Sequence, residues 1–363
     1  MNKVFYEEIA AFHPGYYIKE LLVEEEMSQE DLAKRLQTSG KNVSDLLHGK
    51  INLTDEMALR LATVFQTSVS LWLNLNQSYI EKKLEIERRK QEAAECALVQ
   101  NLDYDFWLSQ GLVPKTGNPL EQVRALREYL KVSSLEVLRR RDFLVQYRRE
   151  QKTVQDINVI AANAWVQTAI NLGMQMETDV FRAKELISKL NPIRKMIKED
   201  FAVSYPEVQK ILGMCGVALV FLPNLKHCNV IGAVKWLNKG KAVLAINSDL
   251  NYEDEFWFSL FHELGHVLQQ RLKILNVSGE EACCETDELL QRLEEEANRF
   301  ARDMLVPDDA YDAFLKRVTI YTEKEIGEFA IEIDTIPQIV RYRMQIERMA
   351  TYQTMLNGLK EKA

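Results

Sequence analysis

Cysteine is scarce in this sequence, and its placement excludes one common kind of metal site. The five cysteines are odd in number, have no CxxC spacing and include one adjacent pair, Cys283-Cys284. This usage gives no support for a cysteine zinc site and favours a reducing cytoplasm. Long apolar runs are also missing, since none approaches the ~20 residues of a membrane span. The N-terminal MNKVFYEEIAAF has no apolar core, so we expect a cytoplasmic protein without a secretion signal or membrane partner.

Positive charge is not in excess either. The 363 residues contain 46 Lys and Arg against 54 Asp and Glu, a formal net charge of −8. Such a balance argues against general attraction to nucleic acid, so any DNA binding must come from a local surface. The length suggests two or three domains, and the 47% hydrophobic and 28% charged fractions are typical of globular proteins.

The chain divides into four regions that differ in residue pattern and expected secondary structure. Residues 13–80 predict five short helices, with Ser28 and Thr54 as N-caps. Residues 81–100 predict a charged connector helix, and residues 101–195 an all-helical middle region without a chemical motif. Residues 196–350 predict a small α+β domain. Its strands are expected at 217–222, 230–236 and 241–246, with a hairpin turn at Asn238-Lys239-Gly240. Helices are expected at about 252–271 and 286–306, and a final helical pair at roughly 322–349, broken near Asp334-Thr335 and Pro337. The predicted fold class is therefore mainly α with a small α+β domain.

A candidate metal site lies in the segment HELGH. His262 and His266 are one helical turn apart, so a helix places both rings on one face, where they can share a tetrahedral Zn²⁺. Glu263 points away from that direction and is placed to contact the water that the ion activates. With only five histidines in the chain, an accidental HExxH has an expectation of roughly one in a hundred.

A third ligand is expected from the segment LEEEANRFARDMLVP, residues 293–307. Glu294 shares a helix face with the small residues Ala297 and Ala301 and with Asn298, so this face can lie close to the first helix. Glu294 is the preferred ligand. Rotating the helix by one residue would present Glu295 or Glu296 instead, and the sequence alone leaves these alternatives open.

These groups together predict peptide hydrolysis. Zn²⁺ would activate water and polarise a carbonyl, while Glu263 would serve as the catalytic base and return the proton to the leaving amine. His227 and Tyr252 are candidate donors to the oxyanion, although a surface histidine and a core tyrosine are the simpler interpretations. The strand 241–246 either offers its edge to an extended peptide or is a plain structural edge. The polar loop 271–285 is interpreted as a surface loop.

The C-terminal motifs resemble a known family. HELGH after a β-hairpin, then ExxANxFAxxxLVP and IPQIVRYR, is similar to the ImmA/IrrE family of cytoplasmic metallopeptidases over about residues 195–350. The resemblance implies a zincin domain with His262, His266 and Glu294 as zinc ligands and Glu263 as the base. It further implies that the substrate is a transcriptional repressor or another regulatory partner.

The N-terminal motifs resemble a second family. HPGYYIKELL, the HGK turn and ALRLATVFQTSVSLWLNLNQSY are similar to the Cro/C1-type (Xre) helix-turn-helix, in particular the HigA-like antitoxins, over nearly all of residues 13–80. The second helix of MSQEDLAKRLQTSGKNVSDLLHGK would then enter the major groove of a double-stranded DNA operator. The candidate DNA contacts are Gln29, Ser39, Lys41, Asn42 and Ser44. Residues 17–66 carry six basic and nine acidic side chains, net −3, so a helical bundle that binds protein stays an alternative.

Two functions follow from the sequence. The first is a DNA-binding regulator fused to a zinc endopeptidase that cleaves itself, a repressor or a toxin–antitoxin partner. The second is an antitoxin-like repressor whose zinc domain senses or binds a partner without turnover. A homodimer is expected from the two-fold habit of helix-turn-helix repressors.

Overall fold

The computed structural model describes residues 2–140, 156–249, 253–269, 287–318 and 321–347. It is mainly helical with two short sheets, which confirms the predicted fold class. In these ranges no helix combines the length and the apolar character that a membrane crossing needs. The chain forms two compact units, one of residues up to Leu98 with Asn118–Arg124, the other of Val99–Gly117 and the residues from Ala125 onward. The predicted boundaries at residues 80, 100 and 195 stay predictions.

The first unit is a β-hairpin followed by a helical bundle. Its elements are β1 (Lys3–Tyr6), β2 (Ile9–Phe12), α1 (Pro14–Glu24), α2 (Gln29–Arg35), α3 (Gly40–Leu47), α4 (Asp55–Val64) and the start of α5 (Val69–Asn101). Side-chain oxygens cap three of these helices: Ser28 accepts from the N–H of Asp31, and Thr54 from that of Met57, as predicted. Ser39 caps α3 in the same way. The apolar faces of α1 to α5 meet in one core.

Helices α1 and α3 approach closely at Gly15. A Cβ built there would lie 2.2 Å from the carbonyl oxygen of Leu46, so no side chain fits at this crossing. The glycine of the HPG segment therefore fixes how near the N-terminus of α1 comes to the second helix of the helix-turn-helix.

The predicted fifth helix and the predicted charged helix after it are one continuous helix. A single helix, α5, runs from Val69 to Asn101. No glycine or proline interrupts residues 69–101, so nothing in the sequence ends the helix near residue 80. Tyr79 and Ile86 of α5 are buried against the β1–β2 hairpin, and this contact favours continuation of the helix.

The N-terminal hairpin was not expected from the sequence. Its strands have only four residues each, and its turn is Glu7-Glu8 rather than a glycine-containing pair. Arg89 of α5 donates to both turn carboxylates, at 2.9 Å to Glu7 and 2.8 Å to Glu8. The hairpin is therefore held by a distant arginine as well as by its own ladder.

The remaining elements build the second unit, except that residues Asn118–Arg124 belong to the first. After α5 come α6 (Tyr104–Ser109), α7 (Pro119–Leu130), α8 (Asp156–Gln175), α9 (Ala183–Lys195), α10 (Phe201–Met214), β3 (Val217–Leu222), β4 (Gly232–Asn238), β5 (Lys241–Asn247), α11 (Glu253–Gln269), α12 (Asp287–Leu305), α13 (Asp308–Arg317), α14 (Glu323–Glu332) and α15 (337–347). Two short 3-10 helices cover Leu135–Arg139 and Met196–Lys198. These bounds agree with the predicted strands, hairpin turn and C-terminal helices to within a few residues.

The sheet of this unit is covered by helices on both faces. Leu244 and Ile246 of β5 belong to the core that contains Phe256 and Leu260 of α11. The alternate residue Val243 faces α8, where a Cβ on Gly173 would lie 2.6 Å from its methyl groups. Helix α11 is thus anchored on one face of the sheet by its apolar side, which leaves its histidine-bearing side for the site.

The strand order shows that β5, predicted to lie at the edge of the sheet, is its central strand. β5 lies between β3, which pairs with it in parallel, and β4, which pairs with it antiparallel. The strand 241–246 therefore has no free edge for a peptide, and that interpretation was wrong. Its apolar run is that of a central strand, buried on both faces. β4 is an edge strand instead.

Helix α15 is fixed by Arg343, which is 7% exposed. Its guanidinium donates to Asp308 at 2.6 Å, to Glu347 at 3.1 Å and to the carbonyl oxygen of Val306, and it stacks 4.2 Å from the ring centroid of Tyr311. The arginine of the IPQIVRYR segment thus joins α15 to the end of α12 and the start of α13.

We predict that His13 makes the first unit less stable at acidic pH. Its ring is fully buried, accepts from the N–H of Gly15 at 3.0 Å and meets Tyr79 edge-on at 4.9 Å. Burial lowers the pKa of His13; the nearby backbone of Ile51 opposes this, and the positive charge of Lys83 adds to it. Because the folded pKa lies below the unfolded value of about 6.5, the stabilisation is complete above about pH 6.5 and decreases as the pH falls below it.

Urea unfolding of the full chain labelled with 5-fluorotryptophan tests this prediction. The ¹⁹F signal of Trp72, which is 1% exposed in the core of the first unit, reports its unfolding midpoint. His13→Asn keeps a capping group but should flatten the fall in midpoint between about pH 7.5 and about pH 5.5. His48→Asn, at an exposed position, should keep the wild-type profile. Equal profiles for all three chains would refute the role of His13.

Candidate metal centre and DNA-binding surface

The two histidines of HELGH face each other on α11. Their Nε2 atoms are 3.1 Å apart, and their rings meet edge to face at 80°. Nδ1 of His262 lies 3.0 Å from the amide oxygen of Asn298, and Nδ1 of His266 lies 3.0 Å from that of Gln269. Because an amide oxygen only accepts, each Nδ1 carries the proton in the neutral ring. Both Nε2 atoms are then lone-pair acceptors directed at one point.

Helix α12 brings Glu294 to the same point. Its carboxylate oxygens lie 3.6 Å from Nε2 of His262 and 3.4 Å from Nε2 of His266. The two rival glutamates are elsewhere: Glu295 accepts from Gln291 on the exposed side of α12, and Glu296 is also exposed. In the described residues His262, His266 and Glu294 form the one cluster of three ligand-type side chains close enough to hold an ion.

The spacing of these atoms fits a tetrahedral ion. Zinc bonds of about 2.0–2.1 Å place neighbouring ligand atoms about 3.4 Å apart, since a tetrahedron edge is about 1.6 bond lengths. The two Nε2 atoms are 3.1 Å apart, Oε1 of Glu294 lies 3.4 Å from Nε2 of His266, and its other oxygen, Oε2, lies 3.6 Å from Nε2 of His262. Two lone pairs and a carboxylate held this close repel each other unless a cation or a proton lies between them. The donor set therefore suits a divalent ion.

Two amide side chains orient the histidines. Asn298 lies on α12 one turn after Glu294, and Gln269 also donates to the carbonyl oxygen of Leu293 at 2.8 Å. Each amide thus connects a histidine of α11 to the helix that carries the third ligand. Such outer hydrogen bonds fix ring tautomer and orientation in metal sites. Helical spacing in the sequence placed Asn298 on the same helix face as Glu294. The contacts of Asn298 with His262 and of Gln269 with Leu293 depend on how α11 and α12 pack, which the sequence does not show.

The crossing of the two helices depends on small residues. A Cβ on Gly265 would lie 3.2 Å from Cα of Ala297, and Ala297 and Ala301 are fully buried. The predicted small-residue face of α12 thus lies against α11. Nearby, the ring of Phe258 stacks on His262 at 6.3 Å and meets Tyr342 at 5.4 Å.

The side chain of Glu263, on α11, is buried against the start of β4. It is 7% exposed, and a Cβ on Gly232 would lie 2.6 Å from its Oε1 atom. Burial raises the pKa of Glu263 to about 7; His266 lowers it and Glu294 raises it further. Burial also lowers the pKa of His266, but the carboxylates of Glu294 and Glu263 outweigh that effect and raise it overall. The contact between Gly232 and Glu263 could not be predicted from the sequence, because it depends on how β4 packs against α11.

The other predicted residues of this site are not placed at the ligands. His227 is exposed in a turn, with a positive φ of 68°. Tyr252 and the loop 271–285, including Cys283-Cys284, lie outside the described residues. Neither candidate oxyanion donor therefore gains support from the geometry.

The candidate DNA contacts lie around the start of α3, with Gln29 at the start of α2. Lys41 and Gln29 are exposed, so both are free to reach a phosphate or a base. The hydroxyl of Ser39 is occupied as the N-cap of α3, and Asn42 donates to Thr38 at 2.9 Å. Ser44 lies one turn further, beside His48.

The remaining basic residues of this surface are largely paired. Arg60 donates to the carbonyl oxygens of Leu36 and Gln37 and to Glu56, so it caps α2. Lys50 is 3.6 Å from Asp45. These pairs reduce the number of cations that face outward, as the local net charge had suggested.

Comparisons with known proteins agree with this division of the chain. A model of the IrrE N-terminal-like domain, peptidase M78, matches residues 227–344, and a helix-turn-helix model matches residues 18–72. The uncharacterized HTH-type transcriptional regulator YddM of Escherichia coli K12 is 35% identical over 79 residues, which cover 21% of this chain and 84% of YddM. The similar regulator YbaQ of the same strain is 42% identical over 62 residues, 17% of this chain and 55% of YbaQ.

A solved structure matches the same N-terminal region. The antitoxin HigA of Pseudomonas aeruginosa, solved with the higBA promoter, has 32% identity and covers 22% of this chain and 88% of its own, with a TM-score of 0.21. The family model and YddM place residues 18–72 among the regulators, and the M78 model covers both helices of the candidate metal centre. The chain belongs to the helix-turn-helix transcriptional regulators and joins that domain to an IrrE-like domain of the M78 peptidases.

Proposed function

We propose that the chain is a DNA-binding regulator whose C-terminal domain is a zinc-dependent endopeptidase acting on a regulatory protein. The observation that carries this proposal is the ligand triangle of His262, His266 and Glu294 with Glu263 buried beside it. Candidate substrates are a repressor, a toxin–antitoxin partner or the chain itself, because the fused helix-turn-helix brings the domain to regulated DNA.

His262, His266 and Glu294 would hold the ion, and Asn298 and Gln269 would keep the rings in the ligand orientation. Bound there, zinc supplies Lewis acidity, which polarises a carbonyl and makes water a nucleophile near neutral pH. Glu263 takes a proton from the attacking water and delivers it to the amine that leaves when the carbon–nitrogen bond breaks. Its burial limits access of bulk water to that proton.

The substrate is proposed to bind as an extended strand along β4. β4 is an edge strand of its sheet and begins at Gly232, next to Glu263. A peptide that adds to such an edge gains main-chain hydrogen bonds whatever its side chains are. This placement would bring one of its peptide bonds near the proposed base.

DNA binding is proposed for the exposed start of α3, with Lys41 as its main cation. The second helix of a helix-turn-helix enters the major groove with its N-terminal residues, and these are the residues predicted from the sequence. A homodimer would present two such helices and could gather their outward cations on one face, although residues 17–66 carry a net charge of −3 in each chain.

We predict that Glu294→Gln abolishes stable metal binding. Losing the one anionic ligand should reduce zinc in the purified chain from about one equivalent to near zero, because two neutral imidazoles alone hold the ion weakly. Metal analysis by mass spectrometry and chelator competition would measure this. Glu295→Gln and Glu296→Gln are matched controls that should retain wild-type zinc. Full zinc occupancy in Glu294→Gln would refute the ligand set.

We predict that Glu263→Gln keeps zinc and the fold but stops cleavage, since the amide cannot take up the proton. Mass spectrometry of labelled protein N-termini, in cells carrying either chain, would reveal the cleavage products. We expect new N-termini in one or a few regulatory proteins, or in the chain itself, only with the wild type and with the control Glu295→Gln. Identical N-termini with and without Glu263 would favour the alternative of a zinc domain that binds or senses a partner without turnover.

We predict that Lys41→Ala weakens DNA binding. The probe is a duplex selected from a random pool by the wild-type chain, and affinity is measured by fluorescence anisotropy at several salt concentrations. A lost phosphate contact should reduce the slope of log affinity against log salt by about one, and more if a dimer loses two. Lys82→Ala, exposed on α5, is the control and should leave the slope unchanged. An unchanged slope in Lys41→Ala would place the DNA surface elsewhere.

A further inference from the structure

Gly232 has a place in the fold that backbone conformation does not explain. It begins the edge strand β4, pairs with Ile246 in the register, and does not have the left-handed φ that requires glycine. Any residue could adopt its conformation. The reason for glycine at this position must therefore be space.

The side chain of Glu263 occupies the space where a Cβ of residue 232 would lie. The three atoms nearest to a Cβ built on Gly232 are Oε1, Cγ and Cδ of Glu263, at 2.6, 2.8 and 3.0 Å. Separations this short do not occur between real atoms without movement, and here they involve the length of the side chain rather than its tip alone. The backbone at Gly232 thus forms one wall of the pocket that holds the carboxylate.

The strand is less free to move than the side chain. The main-chain N–H of Asn247, at the end of β5, donates to the carbonyl oxygen of Ile231 at 2.8 Å. The Asn247 side chain, 8% exposed, lies 3.5 Å from the carbonyl oxygen of Val230 and accepts from the N–H of Asp249 at 2.9 Å. The two residues before Gly232 are therefore anchored, so an added methyl group would displace the carboxylate rather than β4.

We infer that Gly232 is a positioning residue for the proposed base: its missing side chain lets the edge strand hold the Glu263 carboxylate at the site. This inference rests on the proposed peptidase function for its catalytic consequence. The packing contact itself needs neither metal nor substrate. Gly232 contributes no side chain to the ligands, so we expect a substitution there to act on the ligand site through Glu263.

A double-mutant cycle tests the contact without any chemistry. Gly232→Ala is introduced into the wild type, into Glu263→Gln and into Glu263→Ala, and urea midpoints are measured in chelator by the ¹⁹F signal of labelled Trp257, which is 1% exposed on α11. We expect a lower midpoint in the first two backgrounds, where the side chain has its full length, and at most half that shift in Glu263→Ala. Equal shifts in all three backgrounds would overturn the inference. Glu263→Ser, which also lacks Cδ and Oε1, takes the place of Glu263→Ala if that chain does not fold.

A kinetic arm tests the positioning role. The probe is a peptide that spans the cleavage site found in cells with the wild-type chain. Gly232→Ala should bind zinc normally and lower kcat at least tenfold with KM within about twofold, because the base is displaced while the ligands and the outer edge of β4 remain. Gly327→Ala adds the same methyl group on α14, where no described atom outside the local helix backbone lies within 4 Å of the new Cβ, and should keep the wild-type kcat. A wild-type kcat in Gly232→Ala would overturn the positioning role. Absence of cleavage by the wild type would instead refute the peptidase proposal, and the double-mutant cycle would still test the packing contact between Gly232 and Glu263.

Discussion

The close approach of α11 and α12 is the constraint on which the candidate metal centre depends. Gly265 and Ala297 allow the two backbones to lie close together, since a Cβ on Gly265 would be in tight contact, 3.2 Å from Cα of Ala297. At this separation a carboxylate from one helix reaches two imidazoles on the other, and amide side chains bridge the same gap. A wider crossing would break the ligand triangle and both bridges together. The geometry of the ligands thus follows from helix packing, and the sheet beneath α11 keeps that packing in place.

The two units of the chain obtain their order from different kinds of contact. In the first unit, short helices are started by local side-chain caps, and a glycine lets α1 and α3 cross closely. Its acidic surface leaves few outward cations, because Arg60 and Lys50 are engaged within the unit. The second unit depends on contacts between residues far apart in sequence. Its buried carboxylate at Glu263 is an unfavourable feature for stability alone, which is typical of positions kept for chemistry.

Local patterns explain what the sequence alone could predict. Helical spacing placed His262 and His266 on one face, and it placed Glu294 with Ala297 and Ala301 on another. The choice among three adjacent glutamates needed the rotation of α12 about its axis, which only the crossing at Gly265 settles. The parallel pairing of β3 with β5 joins residues that are not adjacent in sequence. The hairpin pattern shows only the pairing of β4 with β5, so the prediction from sequence treated the central strand β5 as an edge strand. The N-terminal hairpin was missed because its strands are short and Arg89, which holds its turn, is distant in sequence.

The order of the ligands along the chain has a consequence for synthesis. His262 and His266 leave the ribosome before Glu294, and the helix that carries Glu294 must be complete before it can pack on α11. A nascent chain therefore lacks a full set of ligands until α12 has emerged, whereas the N-terminal bundle is already able to fold. Translation itself delays the assembly of the candidate metal centre until the helix-turn-helix domain of the same molecule exists.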